Sequence, residues 1–239
     1  METQNTLDTT LSTAQAAQML GLSQHQVAML ASSGEIASSR IGHMLVLDGR
    51  DVLRYDQNRC GKGRPLSQDV ALAALWILSN IDVPWLDYQQ NRRLAGKLTM
   101  VSPEELVWQC RRRCKIMRFR CNPSFLAQVR QQISLSGCSS PFVSQLGLSL
   151  LSDSVEGYVR KDMLEKIVAS SHLKEDWTGN VVLRIVSGYK APLDLGPMPL
   201  AVAAADLAES LVVRERHAGL TFLKGALDEY RASRTQRFS

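Results

Sequence analysis

LSTAQAAQMLGLSQHQVAML, residues 11–30, is the stretch whose reading decides the N-terminal fold. Ser12 or Thr13 can cap a first helix, its hydroxyl accepting from amides that the first turn leaves without partners. Ala16, Ala17 and Leu20 fall on one face at helical spacing. Gly21 supplies the left-handed residue that ends the helix, and Leu22 turns back into the core. Ser23 caps a second helix whose Val27 and Leu30 point inward. Small residues facing a Gly-apolar turn let two short helices pack at a steep angle, which predicts a helix-turn-helix.

Working outward, Ser33-Gly34-Glu35-Ile36 stops the second helix. Residues 38–42 and 44–47 read as two short strands about a turn at Gly42-His43, a wing, and Asp48 or Asp51 then caps a short helix through Val52, Leu53 and Tyr55. Over residues 11–55 the chain resembles the MerR and excisionase-like winged helices. The resemblance is carried by Ala16-Ala17-Gln-Met-Leu20-Gly21-Leu22-Ser23, Val27, Gly34-Glu35-Ile36, Arg40-Ile-Gly42 and Asp51-Val. It implies that the second helix enters the major groove of double-stranded DNA, with Ser23, Gln24, His25, Gln26 and Met29 at the interface. Glutamine can make a two-bond contact to adenine, and an apolar side chain can meet a thymine methyl. Arg40 and His43 of the wing would then lie near phosphates or the minor groove. The rival reading is a helical hairpin used for packing or protein contact alone.

The reading helix has no Lys or Arg, so one copy is expected to bind weakly and to need a homodimer or downstream basic residues. Formal net charge is +5 and the sequence pI is about 9.1, compatible with a nucleic-acid partner without establishing one. Residues 1–58 set Glu2, Asp8, Glu35, Asp48, Asp51 and Asp56 against Arg40, Arg50 and Arg54, an acidic balance. Positive charge concentrates downstream, first in a Gly-rich linker with Arg59, Lys62 and Arg64. That linker either lies along DNA phosphates or is a tether. The N-terminus carries no basic residue before an apolar stretch, no apolar run approaches the ~18 residues of a membrane span, and five cysteines show no secreted framework. The expectation is a reduced cytoplasmic protein.

The middle segment, 59–121, is predicted helical, with helices over 68–78, over 84–98 and from a capped start at Ser102-Pro-Glu-Glu. Trp76, Trp85 and Trp108 are read as core or helix-contact residues. Cys110, Cys114 and Cys121 are spaced C-x3-C-x6-C with no nearby His or fourth ligand, which fits no zinc template, so no metal is assigned. The basic run 111–120 reads either as a nucleic-acid surface or as a solvated face beside a buried strand.

Residues 122–239 alternate predicted helices (124–131, 161–170, 200–211, 216–231) with strands (from 133, 154–159, 180–186), joined by a turn-rich connection at 192–199. That order suggests a small α/β domain and an α+β chain overall. LSGCSSPFVSQLGL followed by DSVEGYV, within 134–159, resembles the opening of nucleotidyltransferase-like domains: a strand, a Ser/Gly turn and a helix ending in Gly-Leu, then a strand bearing acidic residues. With the winged helix ahead of it, the whole resembles AbiEi-type antitoxins, which combine those two parts without catalysis. Transfer to a nucleotide phosphate needs converging carboxylates on magnesium. Asp153 and Glu156 are three apart and fall on opposite sides of a strand, the strand at 180–186 adds no acid, and His172 and His217 have no partnered nucleophile. The expectation is a non-enzymatic, cofactor-free transcriptional regulator that binds an operator, an inverted repeat, as a dimer. Its leading form is an antitoxin repressing its own operon, with a toxin as protein partner. The rivals are an excisionase-like architectural or recombination protein and a nucleotidyltransferase brought to DNA. Apolar helices 70–78 and 200–211 are the candidate dimer surfaces.

Overall fold

The computed structural model describes residues 10–60, 63–150, 153–188, 193 and 196–236. The N-terminal unit runs β1 (Thr10–Ser12), α1 (Thr13–Leu20), α2 (Gln24–Ser32), β2 (Ser38–Ile41), β3 (Met44–Asp48) and α3 (Gly49–Asn58). One local device starts both leading helices. Ser12 Oγ accepts from the Gln15 amide at 3.2 Å while Gln15 Oε1 accepts from the Ser12 amide at 2.9 Å, and Ser23 and Gln26 repeat that reciprocal cap. Gly21, at φ +61°, ends α1 in the left-handed conformation. The turn brings Ala16, Leu20 and Val27 onto Ile36, Leu47 and Val52. β1 was not foreseen: three residues are too few to show alternation. It pairs antiparallel with β3, Leu11 opposite Leu47, giving a sheet in the order β1-β3-β2.

The rest of the chain builds one mixed sheet with helices on both faces. α4 (Gln68–Ile77), α5 (Tyr88–Leu98) and α6 (Pro103–Gln109) precede β4 (Lys115–Arg120), α7 (Leu126–Gln132) and β5 (Ser134–Leu135). Then come β6 (Val155–Arg160), α8 (Lys161–Ser170), β7 (Lys174–Glu175), β8 (Val181–Val186), α9 (Leu200–Ala208) and α10 (Val213–Gln236). The strand order is β5-β6-β8-β4-β7. β6 and β8 are parallel, joined through α8, and the other pairings are antiparallel. On one face Phe119, Val155, Val159, Leu183 and Ile185 pack against Val129 of α7 and Ile167 of α8. On the other, Tyr158 and Val186 join a larger core of α4, α5, α6, α9 and α10.

That larger core corrects the expected division at residue 121. Leu72, Leu75, Leu98 and Leu106 from before it share one cluster with Val202, Leu207, Leu223 and Leu227 from after it, and β4 of the basic run is an inner strand of the sheet. The candidate dimer helices are likewise consumed within the protomer. Residues 71–76 of α4 and 201–208 of α9 are buried without interruption: α4 is apolar on all sides and needs neighbours all round, and α9 buries its one carboxylate, Asp206, against Arg113. The helix expected after the Ser/Gly turn is two 3₁₀ turns, Gly137–Ser139 and Val143–Leu146, since Pro141 between them supplies no amide to a helical ladder. β7, two residues long, was also unforeseen. Of the turn-rich 192–199 connection, residues 193 and 196–199 are described, with Leu193 and Met198 buried. Among the described residues no helix is long and apolar enough to cross a membrane.

Candidate nucleic-acid interface

α2 turns Val27 fully into the core, and that orientation leaves Gln24, His25, Gln26 and Met29 exposed on its other side, Met29 at 58%. Ser23 is exposed but its hydroxyl serves the cap. The Gln26 amide oxygen is held by the Ser23 amide at 2.9 Å and the Ser23 hydroxyl at 3.1 Å. A two-bond contact to adenine needs both the oxygen and the NH2 of a glutamine, so as seated only Gln24 offers one. The hairpin β2–β3 exposes Arg40 and His43 as expected. It also exposes two residues that the sequence reading passed over, Ile41 at 67% and Met44 at 63%, which pair across the hairpin tip. Their signal was present: apolar side chains directly flanking a two-residue turn have no core to enter.

Of the linker residues, Arg59 donates from Nη1 to the Leu20 carbonyl at 2.8 Å, tying the end of α3 to the end of α1. Arg64 is exposed at the rim of a groove discussed below. Lys62 lies outside the described residues.

The acidic balance of the N-terminal unit is cancelled from the body of the chain. Glu35 is buried, and its carboxylate is held at 2.5 Å by both Arg111 Nε and Arg112 Nη2, which lowers its pKa despite burial. Asp51 is buried between Arg54 Nε at 3.2 Å and Arg118 Nη1 at 3.1 Å and accepts from the Ala37 amide, so it is held well below the usual carboxylate range against the desolvation that opposes it. Asp48 caps α3 through the Arg50 amide, but its Oδ2 comes no nearer than 3.6 Å to Arg118 Nη1. Burial first and the neighbouring Asp51 second push its pKa up to about 6. Arg111 also stacks on Trp108 at 3.8 Å, and Trp108 meets Tyr55 of α3 edge-on at 5.2 Å. The basic run 111–120 is therefore mostly spent on intramolecular carboxylates. The exposed surface of α2 and the hairpin carries no carboxylate among the described residues.

Beneath this joint lies a buried polar cluster. Arg113, wholly buried, donates to Asp206 at 2.6 Å, to Glu209 at 2.7 Å and to the Tyr158 hydroxyl at 2.9 Å. Arg184 bridges Glu156 at 2.7 Å, Glu209 at 3.2 Å and Asp206 at 3.3 Å. The Ser136 hydroxyl donates to Asp206. Glu209 is held to about 2, the pull of Arg113 and its hydrogen bonds outweighing burial. Burial raises Glu156 even with Arg184 beside it. Gly137, at φ +54°, lets the Ser136–Ser140 loop lie on that carboxylate: a Cβ there would stand 2.2 Å from Glu156 Oε2. Asp153 is exposed and apart from the cluster. Cys110, Cys114 and Cys121 are free thiols, burial pushing Cys110 up to about 12. Among the described residues no three His, Cys, Asp or Glu side chains are placed to hold a metal.

No protein-family model matches the chain, and no solved structure matches it. Uncharacterized proteins of Mycobacterium bovis and Mycobacterium tuberculosis are 54% identical to it over 52 residues, which is 21% of this chain and 44% of each of theirs. The match thus spans less than half the length of those relatives.

Proposed function

We propose that the chain is a sequence-specific DNA-binding transcriptional regulator whose N-terminal unit is a winged helix-turn-helix of the MerR and excisionase-like kind. The observation that carries this reading is the carboxylate-free exposed surface formed by Gln24, His25 and Met29 on α2 and by Arg40, Ile41, His43 and Met44 on the hairpin. A polyanion can approach that surface because Glu35, Asp48 and Asp51 are turned inward onto arginines. With no cation on α2, two copies on an inverted repeat supply the affinity that one lacks. DNase footprinting on the DNA upstream of the protein's own gene tests the reading; protection over an inverted repeat supports it, and uniform weak binding to any duplex sinks it. Gln24→Ala is expected to cost about 1–3 kcal/mol at one base pair, whereas Arg40→Ala weakens all sequences alike and flattens the salt dependence.

Within that class the chain is an antitoxin with a body of degenerate nucleotidyltransferase-like fold. Support comes from the order strand β5, Ser136-Gly137 turn, 3₁₀ turns ending at Gly147-Leu148, and strand β6 bearing Glu156. Arg184 stands among Glu156, Asp206 and Glu209, on the ground that a metal needs in an active transferase. Co-expression with the neighbouring open reading frame checks this: rescue of growth from that frame's product supports an antitoxin, and magnesium-dependent nucleotide transfer by the chain itself overturns it.

A further inference from the structure

The sheet face opposite Glu156 and Arg184 opens into a groove of about 620 Å³ with three walls. Ser33, Gly34 and Glu35 come from the N-terminal unit, residues 64–68 from the linker and the start of α4, and Arg112, Lys115, Met117, Lys161 and Ile185 from the body. Five cationic side chains line it (Arg64, Arg111, Arg112, Lys115 and Lys161) against one carboxylate, Glu35. Glu35 is already shared between Arg111 and Arg112. No carboxylate among the described residues pairs with Arg64, Lys115 or Lys161, and Arg112 keeps 47% of its side chain open. The stem of Lys115 lies over Gly34, which steadies its ammonium at the groove wall: a Cβ on Gly34 would stand 3.5 Å from Lys115 Cγ. Between the cations are Leu66, Met117, Leu164 and Ile185.

We propose that this groove binds a small phosphorylated molecule with an apolar body, such as a nucleoside diphosphate, bridging the N-terminal unit and the rest of the chain. Unpaired lysines and guanidinium edges converging in a concavity suit phosphate oxygens. The apolar residues among them suit a base or an alkyl chain, and they distinguish the groove from a track for the phosphates of a duplex, whose backbone offers nothing to bury there. Such a ligand touches all three walls and so ties the docking of the N-terminal unit to its own concentration.

Calorimetric titration of the full chain, without DNA, with pyrophosphate, ADP and coenzyme A tests it separately from the operator footprint. ADP or coenzyme A is expected to bind saturably and more tightly than pyrophosphate, with adenosine silent. Lys115→Gln combined with Lys161→Gln, both exposed positions, is expected to weaken that binding at least tenfold while leaving the unliganded thermal midpoint in place. Absence of binding by all three at millimolar concentration overturns the proposal, as does equal binding by the double variant. Pyrophosphate binding no weaker than ADP or coenzyme A overturns the apolar half. A double variant that loses DNA affinity, when no phosphorylated probe binds the wild type, assigns the groove to the duplex backbone instead.

Discussion

Asp48 sits where two demands on one carboxylate conflict. As the cap of α3 it must present an oxygen to the Arg50 amide at 2.9 Å, yet Arg118, the guanidinium within reach, lies nearer to Asp51. Its pKa is raised from 3.8 to about 6. A carboxyl raised by folding stabilises the native state below its unfolded pKa and loses that contribution as pH rises through the folded value. Two units correspond to roughly 3 kcal/mol, an upper bound for the penalty at neutral pH. Asp48→Asn keeps an oxygen for the cap, so urea unfolding should show the variant more stable than the wild type at pH 7.5, with the gap closing toward pH 4. Glu35 and Asp51 run the other way: their lowered pKa values stabilise above about pH 4 and fail in acid. An Asn variant no more stable than the wild type at pH 7.5 would show that Arg118 compensates Asp48 fully. Gln24 and Gln26 teach a related lesson. Both are exposed on the same turn of α2, but the cap captures Gln26, a consequence of Ser three positions before Gln that a reader of the sequence could have drawn.

Among the elements, α9 and α10 meet backbone to backbone at Gly219. A Cβ on Gly219 would stand 2.3 Å from the Ala204 carbonyl oxygen and 2.6 Å from the Ala208 nitrogen, backbone atoms that cannot step aside. Gly225, six residues further along the same helix, has nothing within 4 Å of that position. The two glycines therefore predict opposite signs. Gly225→Ala should stabilise by about 0.5–1 kcal/mol, the helix-propensity difference alone. Gly219→Ala should destabilise by a net 1–3 kcal/mol or so, because overpacking outweighs that same gain. Parallel denaturant titrations decide it, and equal effects would mean that α10 slides on α9. The alanine-rich composition of α9 made a buried helix readable, but the choice of its partners was not. Residues 70–78 are an unbroken apolar string and 200–211 one interrupted only by Asp206, Glu209 and Ser210, and an apolar face says that it must be covered without saying by what.

At the scale of the whole molecule, ion pairs join parts of the chain that lie far apart in sequence. Arg113 reaches Asp206 and Glu209 with no solvent access, so removing its charge leaves two buried carboxylates without their main partner. Arg113→Met should cost roughly 3–5 kcal/mol, read as a lowered denaturation midpoint; a neutral outcome would show that Arg184 alone compensates both acids. The same dependence governs the N-terminal unit. A fragment of residues 1–60 keeps its core of Leu20, Val27, Ile36 and Leu47 and is expected to fold, but it loses Arg111, Arg112 and Arg118 and exposes the charges of Glu35, Asp48 and Asp51. Its DNA affinity should fall at least tenfold below that of the full chain, about 1.4 kcal/mol or more, and gel-shift titration at fixed salt measures it. Equal affinity would remove the need for the rest of the chain.

The caps, the Gly21 turn and the hairpin were determined by the sequence itself, because each depends on residues a few positions apart and on backbone chemistry that acts locally; the strands either side of α8 were legible as strands, but their parallel pairing, 26 residues apart, was settled by the tertiary structure. Charge was a different matter. Summed along the chain, residues 1–58 are acidic and 111–120 basic, which left the basic run open between a nucleic-acid surface and a solvated face beside a buried strand. Only the tertiary structure decided that the two neutralise each other, since Coulomb attraction in a buried joint depends on distance in space, and Glu35 meets its arginines 76 and 77 residues away.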